Sequence, residues 1–407
     1  MMRVLLLLLT VALGLPASAQ DPTAPTTGPV DTLQPFTVPP VGLSDSARVS
    51  LLTMLPGDEV YSLFGHSAIR IRDDAAGMDR TYNFGTFSFD QPFFVVRFLR
   101  GSLDYMLDTA PFELELDKYA YLQRPIIEQT LDLDPETVRT FYDRLERNAL
   151  PENRAYRYDF FWDNCSTRLL DGIDSALVAS GRPGLALPPV EAPRTYRQLL
   201  APYLVGQRAV ETGLNLALGA PGDRDATARE EGFLPIELAD QLDRATVGGR
   251  PLVASRDTLF WIEGAGMPAP APRWPLWATI ALAAVGIGLT ALRRPPTRLG
   301  RLADAALFGV VGGMGVILFL LWVATTHDVM GPNWNLIWAW PTHLALAVAI
   351  GRDRVGPRWR TYLWATAGIT GLAVLAWAVL PQRLPLEVLP VAVLLAVRAA
   401  VRARGNP

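Results

Sequence analysis

The run Tyr158-Asp159-Phe160-Phe161-Trp162-Asp163-Asn164-Cys165-Ser166-Thr167-Arg168 is followed by Leu169, Leu170, Ile173, Ala176 and Leu177. These apolar positions recur at helical spacing, so the run reads as the approach to a helix that begins at Cys165. Asp163 and Asn164 are both residue types that cap a helix by accepting from its first unpaired N–H groups. A cysteine there meets the positive end of the helix, which favours its thiolate. The same N–H groups suit an oxyanion that develops when the thiolate attacks an acyl carbon. Cys165 is the single cysteine of the chain, so no intramolecular disulfide forms. Its alternative reading is a small buried apolar filler.

Upstream, Tyr61-Ser62-Leu63-Phe64-Gly65-His66-Ser67-Ala68-Ile69-Arg70-Ile71-Arg72 alternates from Ser67 onward and reads as a strand. Asp73 to Asp79 supply turn chemistry, and Arg80-Thr81-Tyr82-Asn83-Phe84-Gly85-Thr86-Phe87 reads as the returning strand. His66 therefore opens a predicted hairpin, with Asn83 on the partner strand as the candidate that orients its imidazole. An imidazole beside a thiol accepts its proton and later returns it to the leaving group. Of the three histidines only His66 lies in the mixed-composition part of the chain, so a thiol enzyme with a histidine base has no other choice there. A lone Cys and a lone His show no metal-ligand spacing, and neither metal nor cofactor is expected. Asn164, Asp163, Arg168, Tyr82 and Arg124 are substrate or oxyanion candidates. Arg100 and Arg154 join Arg124 and Arg168 as possible phosphate or carboxylate binders, the alternative for each being an ordinary ion pair.

The two ends of the chain have a different composition. Met1-Met2-Arg3, an apolar stretch through Leu15 and Ala17-Ser18-Ala19 form a signal peptide with an A-x-A cleavage site, 1–19. Residues 20–42 are rich in Pro and Thr and read as a flexible linker, and 43–263 as the exported domain. A second Pro/Gly/Ala linker, 264–273, leads to a membrane domain at 274–401 and a cytoplasmic tail at 402–407. The membrane domain contains five apolar segments, 274–292, 305–326, 334–350, 362–380 and 384–401, each near the length that crosses a hydrocarbon core. Every second connection is basic: Arg293, Arg294, Arg298 and Arg301, then Arg352, Arg354, Arg358 and Arg360, then Arg398, Arg402 and Arg404. The positive-inside rule makes these cytoplasmic and the domain before Trp274 extracytoplasmic, which is a multi-pass cell-membrane protein. His327, Asn333 and Asn335 then lie at the outer edge of the bundle and His343 deeper, as intramembrane polar candidates. The formal net charge of −3 and the lack of a basic block interleaved with aromatics argue against nucleic acid as a partner.

The sequence resembles the periplasmic-domain family named after Lnb, the lipoprotein N-acylation transferase. The resemblance runs through Phe64-Gly65-His66-Ser67-Ala68, Tyr82-Asn83-Phe84-Gly85-Thr86-Phe87, Phe98-Leu99-Arg100-Gly101, Asn153-Arg154-Ala155-Tyr156, Tyr158-Asp159-Phe160-Phe161 and Asp163-Asn164-Cys165-Ser166-Thr167-Arg168. It implies an α+β exported domain of papain-like fold in permuted order, the histidine strand before the cysteine helix, followed here by an all-α transmembrane bundle. At matching positions Cys165 is the nucleophile and His66 the base. Asn83 as third member comes from the hairpin reading alone. Lnb-type enzymes move a fatty acyl chain from the lipid-modified cysteine of a lipoprotein to its terminal amine through a thioester. The implied function is a membrane-anchored extracytoplasmic thiol acyltransferase or hydrolase acting on lipoprotein or lipid acyl esters. A thiol site tethered above a bilayer meets such esters at high effective concentration. A peptidoglycan-directed cysteine hydrolase and a non-catalytic envelope binding protein are the alternatives.

Overall fold

The computed structural model describes residues 41–87, 91–93, 96–97, 100–291 and 297–405. The signal peptide, most of the first linker, Phe98, Leu99, Arg293 and Arg294 lie outside the described residues. The chain divides into two compact units: residues up to Tyr203 together with Asp225–Ala269, and Leu204–Arg224 together with the chain from Pro270 onward.

The first unit is built on an antiparallel sheet of seven strands: β1 (Arg48–Met54), β2 (His66–Asp73), β3 (Met78–Thr86), β4 (Asp104–Pro111), β5 (Ile126–Leu131), β6 (Ala155–Arg157) and β10 (Val253–Phe260). Their spatial order is β10-β5-β1-β2-β3-β4-β6. Three two-residue strands, β7 (Leu185–Ala186), β8 (Thr246–Val247) and β9 (Arg250–Pro251), form a separate small sheet. The predicted hairpin is present as β2 and β3, with Ile69 opposite Tyr82 and Asp73 opposite Met78. β1 is covered on both faces, which explains why Val49 to Met54 lack a clean alternation.

Helices α1 (Phe112–Tyr121), α2 (Pro135–Ala149) and α3 (Cys165–Ala179) pack against this sheet. Ile69 and Ile71 of β2 join Leu169, Ile173 and Leu177 of α3 and Phe141 of α2 in one core, while Ala68 packs with Phe112 and Tyr119 of α1 on the other face. Each such fully buried side chain contributes about 1.5–3 kcal/mol. α2 and α3 cross closely at Gly172, where a Cβ would come within 2.9 Å of the Phe141 ring. Arg70, a buried arginine of the sheet, is held between Asp79 at 2.6 Å and Glu128 at 3.1 Å and lies 3.5 Å from the Phe112 ring centroid. Among the described residues this unit also has α4 (Tyr196–Leu204), α6 (Ala228–Glu231) and α7 (Pro235–Leu242).

The second unit is helical: α5 (Arg208–Ala217), α8 (Trp274–Ala291), α9 (Arg298–Val323), α10 (His343–Gly351), α11 (Pro357–Leu375) and α12 (Leu389–Ala403). α9 pairs with α10, and α12 with both α8 and α11. Among the described residues α9 alone is long and apolar enough, by length and composition, to cross a membrane, and α8 is a shorter apolar helix. The segment 334–350, read from sequence as a full span, contains a helix of 9 residues. That is about 14 Å of rise against a hydrocarbon core of about 30 Å. Pro332 and Pro341 remove N–H donors on either side of a short 3-10 turn at Trp334–Ile337, and the helix starts only at His343.

Asn333 and Asn335, intramembrane polar candidates from the sequence, bind the end of α5. Asn333 Nδ2 donates to the carbonyls of Leu216 at 2.7 Å and Ala217 at 3.1 Å, and Asn335 Nδ2 to Leu216 at 3.3 Å. Gln382 Nε2 adds a 2.8 Å bond to the Leu218 carbonyl, so the last turn of α5 has its unpaired acceptors satisfied by side chains of the bundle. His343 is fully buried, its Nε2 on the Trp338 carbonyl at 3.2 Å and its Nδ1 on Tyr362 Oη at 2.8 Å, with Trp340 stacked on the ring. Both ring nitrogens are therefore engaged in helix-to-helix packing. His327 sits partly exposed in the connection after α9, its N–H bonded to Thr325 Oγ1.

Candidate active site

Asn164 caps α3. Its Oδ1 accepts from the amides of Ser166 at 2.8 Å and Thr167 at 2.9 Å, and Thr167 Oγ1 accepts from the Asn164 amide at 2.8 Å. Its Nδ2 donates to the carbonyls of Phe160 at 2.7 Å and Phe233 at 2.8 Å. Every polar atom of this buried side chain is used, which makes it a clamp on the helix start rather than a group left for substrate. Asn164→Ala is expected to destabilise the exported unit by about 2–4 kcal/mol, combining a lost cap with two orphaned carbonyls. Asn164→Ser, which keeps the cap alone, should fall in between. Denaturant unfolding of both variants measures this, and equal midpoints for Asn164→Ala and wild type would remove the clamp.

Cys165 follows as the first residue of α3 and is buried. Ser67 Oγ meets Ser166 Oγ at 3.0 Å, which fastens the start of α3 to the start of β2, and the Cys165 thiol lies 3.9 Å from the same Ser166 hydroxyl. Gly85 of β3 lies beside Cys165. A Cβ there would lie 3.7 Å from the Cys165 Cβ and 3.8 Å from the Tyr158 ring, and φ at Gly85 is +94°, a left-handed conformation that favours glycine. The β3–β4 register shifts between Phe84 and Thr86, so Gly85 bulges at the sheet's end beside the thiol.

His66 opens β2 opposite Met54, and its Nε2 lies 3.2 Å from Asn83 Oδ1. An amide oxygen only accepts, so Nε2 carries the proton and Nδ1 keeps its lone pair. The structure thus brings together His66 with Asn83, and the residue after His66 with the residue after Cys165. No hydrogen bond joins the imidazole to the thiol. Burial, followed by the charges of Lys118 and Arg124, lowers the His66 pKa to about 3, against the opposing bond to Asn83. Burial likewise pushes the Cys165 thiol up, outweighing the Ser67 amide, the Ser166 hydroxyl and the first amides of α3. The thiolate expected from the helix terminus is therefore not the resting form. Desolvation of a charge inside the site exceeds what the helix end offers it.

The other sequence candidates separate clearly. Asp163 and Arg168 form a two-pronged pair at 2.5 and 2.8 Å, with the guanidinium 3.5 Å from the Tyr156 ring centroid, so Arg168 is committed to its neighbour. Tyr82 is a core residue whose hydroxyl bonds to Glu146 beside Arg80. Arg124 does reach the site. It is 8% exposed, its Nε donates to the Leu55 carbonyl at 2.9 Å, and its Nη2 is buried without a hydrogen-bond partner. Sequence reasoning missed the aromatic wall made by Tyr158 stacked on Tyr105 at 4.1 Å, by Phe64 against Phe160 at 5.0 Å and by Tyr156, whose buried hydroxyl also lacks a partner. Their concentration around the cysteine run was the available signal. Among the described residues no group of three or more His, Cys, Asp and Glu side chains has a metal-binding arrangement.

A family model of the Lnb N-terminal periplasmic domain matches residues 43–201, and one of the Lnb transmembrane domain matches residues 271–404. No curated protein and no solved structure matches the chain. The mixed sheet-and-helix unit holding His66 and Cys165 and the helical unit after it correspond to these two domains in order, and the chain belongs to the Lnb family as a membrane protein with a periplasmic N-terminal domain.

Proposed function

We propose that the protein is a thiol acyltransferase or hydrolase of the cell envelope, with Cys165 as nucleophile, His66 as base and Asn83 as the residue that holds the imidazole. The observation that carries this reading is the bond between Ser67 and Ser166, the residues that follow the only histidine of the unit and the only cysteine, which holds the cysteine's helix start against the histidine's strand start. A cysteine helix packed on a sheet whose adjacent strands bear histidine and asparagine supports a papain-like arrangement in permuted order. The alternating basic connections support a multi-pass bundle with a cytoplasmic C-terminus.

The chemistry follows from the resting protonation states. The Cys165 proton passes to His66 Nδ1 as sulfur attacks an ester carbonyl. The carbon–sulfur bond forms, the ester carbon–oxygen bond breaks, and His66 returns the proton to the departing alkoxide. An amine or water then attacks the thioester, with His66 again taking a proton and the thiol being regenerated. The Cys165 amide, at the positive end of α3 and not taken by the Asn164 cap, suits the oxyanion.

The test is direct detection of the intermediate. Membranes containing the protein are incubated with phospholipid vesicles, and Cys165 is examined by mass spectrometry for an acyl group that hydroxylamine removes. An acyl group on Cys165 supports the reading, and its absence together with inert thiol chemistry leaves a binding domain. The pH dependence is set by the two shifted groups. With the thiol raised and His66 lowered to about 3, alkylation of Cys165 by iodoacetamide should climb steadily from pH 6 past the ordinary thiol pKa of about 8.5. A plateau already reached at pH 5–6 would instead mean a thiolate–imidazolium pair at rest.

A further inference from the structure

Arg124 is the charged group of the site that the chemistry above leaves without a task. It precedes β5, whose Ile126 pairs with Met54, and Met54 pairs on its other side with His66, so the arginine and the histidine share one end of the sheet. The guanidinium lies 5.0 Å from the Tyr119 ring centroid, and Gly57 leaves space for it, since a Cβ there would meet Arg124 Cδ at 3.0 Å. Among the described residues no carboxylate pairs with it. The groups in electrostatic reach are the phenols of Tyr119 and Tyr61 and the Cys165 thiol. The nearby Lys118 is partly balanced by Glu115 at 3.3 Å. A buried guanidinium without a counter-ion is costly, and the cost is recovered when an anion enters its field.

We propose that Arg124 determines specificity by favouring acyl donors that carry a phosphate near the scissile ester, as glycerophospholipids do, over neutral acyl esters. This rests on the proposed thiol chemistry and narrows its substrate class. The guanidinium acts on the donor through its field in a site poor in water, where one charge is felt strongly at separations up to about 10 Å. A diacylglyceryl thioether offers no such anion.

Two reagents of equal size and opposite demand test this on the membrane-embedded protein. Iodoacetate and iodoacetamide consume the same thiolate, so the ratio of their rates at Cys165 cancels any change in thiolate amount. Relative to free cysteine the ratio is expected to rise about ten-fold in wild type, to stay raised in Arg124→Lys and to return to the free-cysteine value in Arg124→Met. A wild-type ratio equal to that of free cysteine, or one unchanged in Arg124→Met, overturns the proposal; a general loss of structure would uncover the buried thiol and speed both reagents, whereas loss of the charge alone lowers the ratio without raising the iodoacetamide rate. In the lipid arm, acylation of Cys165 from phosphatidylglycerol vesicles should exceed that from diacylglycerol in non-ionic micelles, and Arg124→Met should lose the difference through KM. Equal acylation from both donors also overturns it. Inorganic phosphate that blocks iodoacetate as well as phosphatidylglycerol does would reassign the position to free phosphate. If neither lipid acylates Cys165 while the reagent ratio is raised, the acyl-transfer reading fails and the anion preference stands.

Discussion

His66→Ala is expected to lower acyl transfer by about 10²- to 10⁴-fold, and Cys165→Ser to bring it to background. The size follows from the resting state of the site. A thiol whose pKa is raised by burial offers little thiolate at neutral pH, so attack depends on a base that takes the proton as the bond forms. His66, held neutral by a pKa near 3, is ready to accept but gives up the proton again easily, which suits return to the leaving alkoxide. Asn83→Ala should cost less than His66→Ala, because it releases the ring without removing the base. Initial rates of hydroxylamine-sensitive acylation, measured on vesicles for the three variants, rank them. A His66→Ala protein that turns over as fast as wild type would falsify the assignment of the base.

The second large effect is expected in the helical unit. Asp304 on α9 is almost fully buried and accepts from Arg398 at 2.6 and 2.8 Å and from Arg402 at 2.5 Å, while Arg398 also donates to Thr290 of α8. One carboxylate thus ties α8, α9 and α12 together. Asp304→Ala leaves two guanidinium groups packed between helices with no anion, which should destabilise the unit by about 3–5 kcal/mol. Asp304→Asn keeps the shape but not the charge and should behave nearly as badly. Thermal unfolding in detergent measures both, and an unshifted midpoint for Asp304→Ala would mean that water already serves the two arginines.

The β2–β3 hairpin and the helix beginning at Cys165 were legible because each is governed by local rules: alternation about a turn, and apolar residues at helical spacing behind a capping asparagine. Asn83 was legible for the same reason, since register within a hairpin follows from the turn. Three things were not. The thiol pKa depends on how much of the sheet, α1 and the aromatic wall covers Cys165, which is a property of packing and not of the helix end alone. The commitment of Arg168 to Asp163, and of Tyr82 to Glu146, needs side-chain partners up to 64 residues apart, which a motif does not specify. The third apolar segment of the bundle reads as a span by hydropathy, yet its prolines and the demand of the last α5 carbonyls for donors hold half of it out of the helix.

That demand gives α5 a further meaning. The chain leaves the periplasmic unit at Tyr203, is tied into the helical unit over Leu204–Arg224, returns at Asp225 and leaves again after Ala269. Severing the chain between 264 and 272 would therefore not shed the periplasmic portion. The clipped fragment would still carry α5, held by Asn333, Asn335 and Gln382, like a thread stitched through cloth on both sides of a cut. Protease resistance of the assembled protein and release of its periplasmic half are thus separate properties, and only loss of the α5 seat converts the one into the other.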